Sequence, residues 1–167
     1  MNRPSSVEDL ATRLPAKGRL IGLDLGTKTI GLAVSDVERR LASPLRTLTR
    51  GAFQKDADAL VSIFTQFEIA GIILGLPLGL QGGDGPRAQS TRAFARNLAN
   101  RTDLPIAYWD ERFSTAVVTR SLIENDVSRA KRAKVVDKLA AAYILQGALD
   151  RLASLARGKT SRNVAPL

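Results

Sequence analysis

The sequence predicts an α/β fold built on one five-stranded mixed sheet, three strands antiparallel and two parallel, with helices on both faces. Three observations lead there. Three short β-capable runs follow one another from Arg19 to Thr49, with connections too short for a crossover, so they pair as antiparallel hairpins. Two later apolar runs each follow a stretch with helical spacing, the pattern of parallel strands joined by crossover helices. The chain of 167 residues, 44% apolar and 25% charged, has the size and composition of one folded domain.

Residues 1–18 read as a loosely held arm, in which Val7 to Leu14 can form a short helical turn. Arg19 to Leu25 is the first strand, Gly26-Thr27-Lys28 a turn, Thr29 to Ser35 the second strand and Leu41 to Thr49 the third. Gln54 to Phe67 places Ala57, Leu60, Val61, Phe64 and Phe67 along one helical face. Ala70 to Leu76 is a nearly unbroken apolar run, as in a buried parallel strand. The glycine-rich stretch Pro77 to Gly85 leads to Pro86, which suits the first position of a helix. That helix would run to about Arg101 and bury Phe94, Ala95 and Leu98. Pro105 to Trp109 is the fifth strand, with Tyr108 and Trp109 expected in the core. Ser114 can cap a helix to Ile123, closed by Asn125, and Ser128 can cap a last long helix that reaches about Ala156 before Gly158. The expected organisation is an arm (1–18), a folded domain (19–157) and a basic tail (158–167).

Composition excludes several functions. No run approaches the ~18 apolar residues of a membrane span, and Met1 to Lys17, which carries Glu8 and Asp9, lacks the apolar centre of a secretory signal. The chain has no cysteine and no histidine. That removes disulfides, thiolate nucleophiles, histidine general bases, and zinc or iron–sulfur sites that need these ligands. Polar chemistry must then come from carboxylates, Lys, Arg, Tyr, Ser or Thr, and carboxylates with Mg2+ or Mn2+ are the natural combination. The net charge of +9 points to a polyanionic partner, nucleic acid first. Arg129 to Lys138 carries five basic residues and one acid, and Arg151 to Leu167 carries four basic residues and no acid. Arg129, Lys131, Arg132 and Lys134 are therefore expected to hold a nucleic-acid backbone.

Three acidic positions break the apolar pattern. Asp24 lies inside the strand I-G-L-D-L-G, where burial of a carboxylate is costly without compensation. Gly22 and Gly26, at i±2, leave room on its face for a ligand or cation. Asp110-Glu111-Arg112 directly follows the fifth strand, at the strand end where open α/β sheets place their sites. If the strand persists that far, alternation sends Asp110 and Glu111 to opposite faces, and only one of the two then reaches a shared site unless the chain turns there. Asp137 falls in line with Ala140, Ala141, Ile144 and Ala148, the apolar face of the last helix. A first strand, a fifth strand and a late helix can bring these acids to one cation site. Two metal ions there would activate water and stabilise the leaving oxygen of a phosphodiester. Lys28 and Arg112 lie close to the acids in sequence and can bind phosphate. Arg87, Arg92, Arg96 and the backbone of the loop Gly79 to Gly85 are further phosphate contacts.

The stretches G-L-D-L-G-T-K-T-I-G-L-A-V-S-D, G-L-P-L-G-L-Q-G-G-D-G, D-E-R-F-S-T and V-V-D-K-L-A-A-A-Y-I-L-Q together resemble the YqgF family, also called RuvX-like or Holliday-junction-resolvase-like. The resemblance runs from about Arg19 to Leu152. It implies a ribonuclease H-like fold, a bacterial cytoplasmic location and a nuclease that matures the 5′ end of the 16S ribosomal RNA precursor. It places the catalytic, metal-holding acids on Asp24, Glu111 and Asp137, with Asp110 a weaker candidate metal ligand. The loop differs, reading L-G-L-Q-G-G-D-G where the family more often has an Asn-Met-Asp stretch before the glycine.

Other readings use the same residues. A DNA-junction resolvase would employ the same acids in a symmetric homodimer, so that two sites cut two strands; the sequence is compatible with a monomer or a homodimer. D-L-G-T-K-T-I-G also looks like the phosphate loop of actin-type ATPases, but those need a second copy of the fold and the chain is too short for two domains. A non-catalytic RNA-binding assembly factor explains the basic stretches but leaves Asp24 and Asp137 without a role.

Overall fold

Side-chain alternation gives the sheet two unlike faces, and the helices sort onto them accordingly. The computed structural model describes residues 2–113 and 129–162, with the backbone alone at 129–133 and 161–162. A short helix α1 (Val7–Arg13) precedes β1 (Arg19–Leu25), β2 (Thr29–Ser35) and β3 (Ala42–Thr49). Then come α2 (Phe53–Gln66), β4 (Ile69–Leu76), α3 (Pro86–Ala99), β5 (Ile106–Asp110), a 3-10 turn (Glu111–Phe113) and the long helix α4 (Arg129–Arg162). The sheet order is β3-β2-β1-β4-β5. β1, β2 and β3 pair antiparallel, and β4 and β5 add to β1 in parallel, as the connection lengths require. The expected helix Ser114 to Ile123, Asn125 and the Ser128 cap lie outside the described residues.

One face is built from large aliphatic side chains. Ile21, Leu23, Ile30, Leu32, Ile72 and Leu74 pack against Leu60 and Phe64 of α2 and Phe94 and Leu98 of α3. The other face is cut low. Gly22, Gly31, Ala33 and Gly75 face α4, whose own contact residues include Ala141, Ile144, Leu145 and Ala148. A Cβ at Gly22 would stand 2.7 Å from Leu145 Cβ and 2.9 Å from the Ala141 carbonyl oxygen. The helix backbone therefore rests almost on the sheet, which only glycine permits.

Two expectations are corrected. The N-terminal segment is packed rather than loose. Ser5 donates its N–H to the Ile106 carbonyl at 2.9 Å and accepts from the Tyr108 N–H at 2.9 Å, so it covers the open edge of β5. The Asn2 side chain donates to the carbonyls of Thr102 and Leu104, and Val7 and Leu10 are buried against α4 and the sheet. The helical spacing of Val7, Leu10 and Leu14 carried this signal. The last helix also does not stop before Gly158. It runs 34 residues to Arg162, about 50 Å. A glycine inside a solvated helix costs only about 1 kcal/mol, and Thr160 donates its hydroxyl back to the Ala156 carbonyl.

Because Leu10 is fully buried, Leu10→Ala should destabilise the fold by about 2–5 kcal/mol. A urea midpoint equal to wild type would mean that the N-terminal segment adds no core.

Candidate active site

Asp24 is the penultimate residue of β1 and is only 2% exposed. Its side chain shares the α4 face with Gly22, two residues earlier. Across the antiparallel ladder its partner is Gly31, and on the parallel side Gly75 follows the Leu23–Leu74 pair. The carboxylate thus stands in a clearing with glycine on both neighbouring strands.

Two other groups enter that clearing. A Cβ at Gly31 would lie 2.0 Å from the Asp137 carbonyl oxygen, so α4 seats itself on β2 at the residue that carries the second carboxylate. Thr29, at the start of β2, donates its hydroxyl to Asp137 Oδ2 and orients it. Asp24 and Asp137 line one open cavity of about 470 Å³ with Gly26, Thr27, Lys28, Thr29 and Arg87. Glu111 approaches from the opposite side. Its Oε1 would lie 2.8 Å from a Cβ at Gly75, beside Ile144 of α4. A side chain on either glycine would displace an acid.

Asp110 and Glu111 take different roles, because β5 ends at Asp110 and the chain turns into the 3-10 segment at Glu111. The Asp110 carboxylate is gripped by Arg112, whose Nε lies 3.0 and 2.9 Å from its two oxygens and whose Nη2 lies 2.5 Å away. Those hydrogen bonds hold the Asp110 carboxyl below the usual carboxylate range. Asp110 lines a different cavity, with Trp109, Phe113 and Arg151. Arg112 also donates to the Leu80 carbonyl at 3.3 Å and packs beside Gly82, which has φ +82°. Arg112 therefore serves as a clamp on the glycine-rich loop. The loop is braced at its other end by the Asp84–Arg92 pair at 2.6 Å. Within it, the Gly79 N–H donates to the Gly83 carbonyl and the Gly82 N–H to the Gly79 carbonyl. These two N–H groups are thus committed within the loop rather than offered to a phosphate.

Lys28 is at the site, in the cavity wall. Lys134 is exposed on α4, one turn before Asp137, and its carbonyl accepts the Thr47 hydroxyl at 2.6 Å. The side chains of Arg129, Lys131 and Arg132 lie outside the described residues. Sequence reasoning missed Thr29 and Arg50. Arg50 donates to the Gly26 carbonyl at 2.6 Å and so braces the turn after Asp24. Neither residue carries a local signal, since their partners are 108 and 24 positions away.

The donor set suits a hard cation. The cavity offers carboxylate oxygens from Asp24 and Asp137, and Mg2+ is held by one or two carboxylates with water and substrate phosphate completing its shell. Among the described residues no three acids are close enough to enclose one ion. The convergence expected from sequence takes the form of two carboxylates in the cavity and Glu111 beside the adjacent strand.

The sequence matches the family model described as RuvX, Holliday junction resolvase, over residues 18–151. The chain belongs to the RuvX family. A Bradyrhizobium sp. (strain BTAi1) protein named "Putative pre-16S rRNA nuclease" is 62% identical over 149 residues, covering 89% of this chain and 92% of that protein. A Methylocella silvestris protein of the same name is 61% identical over 146 residues, covering 87% and 91%. Among solved structures, Thermus thermophilus RuvC in complex with a Holliday junction substrate matches with a TM-score of 0.50 and 13% identity, over 81% of this chain and 96% of that one. That likeness establishes a ribonuclease H-like fold, and RuvX membership makes the chain a nuclease, a hydrolase of ester bonds.

Two outcomes follow from this RuvX site. Gly31→Ala forces α4 off β2 at Asp137, and a displacement near 1 Å should lower turnover about 100-fold. Circular dichroism separates this from unfolding, and near-normal turnover would show that Asp137 needs no such seat. The depressed Asp110 value means that the Arg112 clamp is intact above pH ~4 and is lost as pH falls through that lower value. Proteolytic protection of residues 79–85 should therefore hold from pH 7 to pH 5, fade in strong acid, and be lost at all pH values in Arg112→Ala. A loop equally protected in that variant would exclude the clamp.

Proposed function

We propose that this RuvX protein is a divalent-metal-dependent nuclease acting in the cytoplasm on the 5′ end of the 16S ribosomal RNA precursor, with Asp24, Glu111 and Asp137 as its catalytic acids. The observation that carries the reading is the shared cavity of Asp24 and Asp137, held by glycine on the strands to either side. The names of the relatives, at about 60% identity, support the RNA substrate. A bound Mg2+ or Mn2+ would activate water and offset the charge that develops at phosphorus. The chain's own residues do the rest. Asp24 and Asp137 supply the ligand oxygens, and Thr29 keeps the Asp137 carboxylate turned into the cavity. Glu111 adds a third acid from the side of β4. Lys28 brings positive charge to the wall, where it draws substrate phosphate toward two carboxylates that would otherwise repel it. Arg129, Lys131, Arg132 and Lys134 bring four basic residues together in the sequence at the start of α4, and their role in this reading is to hold the backbone of the strand. Asp110 acts through Arg112 on the loop.

A DNA-junction resolvase is the second reading, favoured by the family description and by the fold shared with RuvC. One assay separates them. Purified protein is incubated with 5′-extended precursor RNA and with a synthetic four-way DNA junction, each with Mg2+, Mn2+ or chelator. RNA cleavage that needs metal, and that falls more than about 100-fold in Asp24→Asn, is expected, because even outer-shell changes at metal sites cost 10–100-fold. Cleavage unchanged by chelator or by Asp24→Asn would remove the mechanism, and preferential cutting of the junction would establish the resolvase.

A further inference from the structure

A second cavity, of about 170 Å³, adjoins the first. Gly26, Thr27 and Arg87 are common to both walls, so the two form one trough crossing the turn after Asp24. The second cavity is completed by Leu25, Arg50, Pro86, Ser90 and Thr91, and among the described residues no carboxylate lines it. The first cavity, in contrast, carries two carboxylates.

The two arginines of this cavity are not neutralised as several others are. Arg92, Arg101, Arg112 and Arg151 each pair with a carboxylate. Arg50 and Arg87 pair with none among the described residues. Arg50 is pre-set by one hydrogen bond to the Gly26 carbonyl and by the Phe94 ring, 5.8 Å from its guanidinium carbon. A guanidinium has five N–H donors, so most of its capacity remains for a ligand. Buried Thr91 lies in the same wall, beside exposed Ser90. One guanidinium held in place at Arg50 and a second, exposed one at Arg87, together with hydroxyls and with no acid among the described lining residues, suit a phosphate.

We propose that this second cavity is a phosphate subsite, which takes one backbone phosphate of the substrate strand flanking the phosphate held at Asp24 and Asp137. The inference rests on the nuclease reading and adds to it a register device. With one phosphate fixed at Arg50 and Arg87, the strand reaches the acids at a set spacing. Arg50 and Arg87 are positioning residues here, since they bind a phosphate that does not react.

The test uses single-stranded RNA oligonucleotides in which one phosphate at a time is replaced by an uncharged methylphosphonate. Binding is measured in Ca2+ and cleavage in Mg2+, for wild type and for Arg87→Ala, an exposed position whose truncation leaves the core intact. Wild type should lose about 10-fold in affinity at one fixed position beside the scissile phosphate, the scale of one charge-assisted contact. In Arg87→Ala the penalty at that second position should vanish while a penalty at the scissile phosphate persists, reduced only by the share Arg87 contributes from the wall common to both cavities, and the salt dependence of binding should fall by about one phosphate's worth. A wild type without a second sensitive position, or one whose second position survives in Arg87→Ala, overturns the subsite. Wild type that binds with this pattern but cuts nothing in any metal overturns the nuclease reading and keeps the subsite. Absence of binding overturns both.

Discussion

The close contact between α4 and the low face of the sheet is the constraint on which the site depends. Gly22 and Gly31 lie where any Cβ would strike the backbone of α4. An ordinary sheet–helix interface holds the two layers apart by a full layer of side chains. Here that layer is missing at Gly22 of β1 and Gly31 of β2, and the helix descends onto the strands there. The opposite face keeps its full aliphatic layer against α2 and α3, so most of the apolar burial is made there. The molecule thus divides labour between its faces: one supplies core, the other supplies proximity.

Proximity has an electrostatic consequence. Asp24 is almost fully buried, and α4 delivers Asp137 to the cavity that Asp24 also lines. Like charges brought to one cavity repel, and a carboxylate buried as deeply as Asp24 is costly without compensation. A fold that tolerates this gives up stability at the site and recovers it in its core. The surrounding charges follow the same logic. Lys28 and Arg87 stand in the cavity wall, while Asp110 is neutralised at a distance by Arg112. Lys28, Arg50 and Arg87 along the trough have no carboxylate partner among the described residues, whereas Arg92 and Arg112 are engaged in holding the loop.

The two acids after β5 show how one local pattern splits into two roles. Asp110 ends the strand on one side and becomes the anchor of a clamp that reaches the Leu80 carbonyl. Glu111 begins the 3-10 turn and is directed over Gly75 toward the centre of the sheet. The glycine-rich loop is consequently a braced structure held from both ends, by Arg112 and by Arg92.

What the sequence alone determined was local. The periods of the apolar residues placed five strands, the central helices and the order of the elements, because burial of one face is a nearest-neighbour property of the chain. The anomalies Asp24, Asp110, Glu111 and Asp137 were visible as charges where the pattern called for apolar residues, and the absence of His and Cys limited their chemistry to oxygen ligands. What only the tertiary structure decided was which distant groups meet. Gly31 and Gly75 carry no sequence signal of being seats for Asp137 and Glu111, since the clash that selects glycine there involves residues far along the chain. Thr29 orients an acid 108 positions away, Arg50 braces a turn 24 positions back, and the N-terminal segment is ordered by the open edge of β5. Such pairings follow from the register of strands and the height of a helix above them, and chain spacing encodes neither.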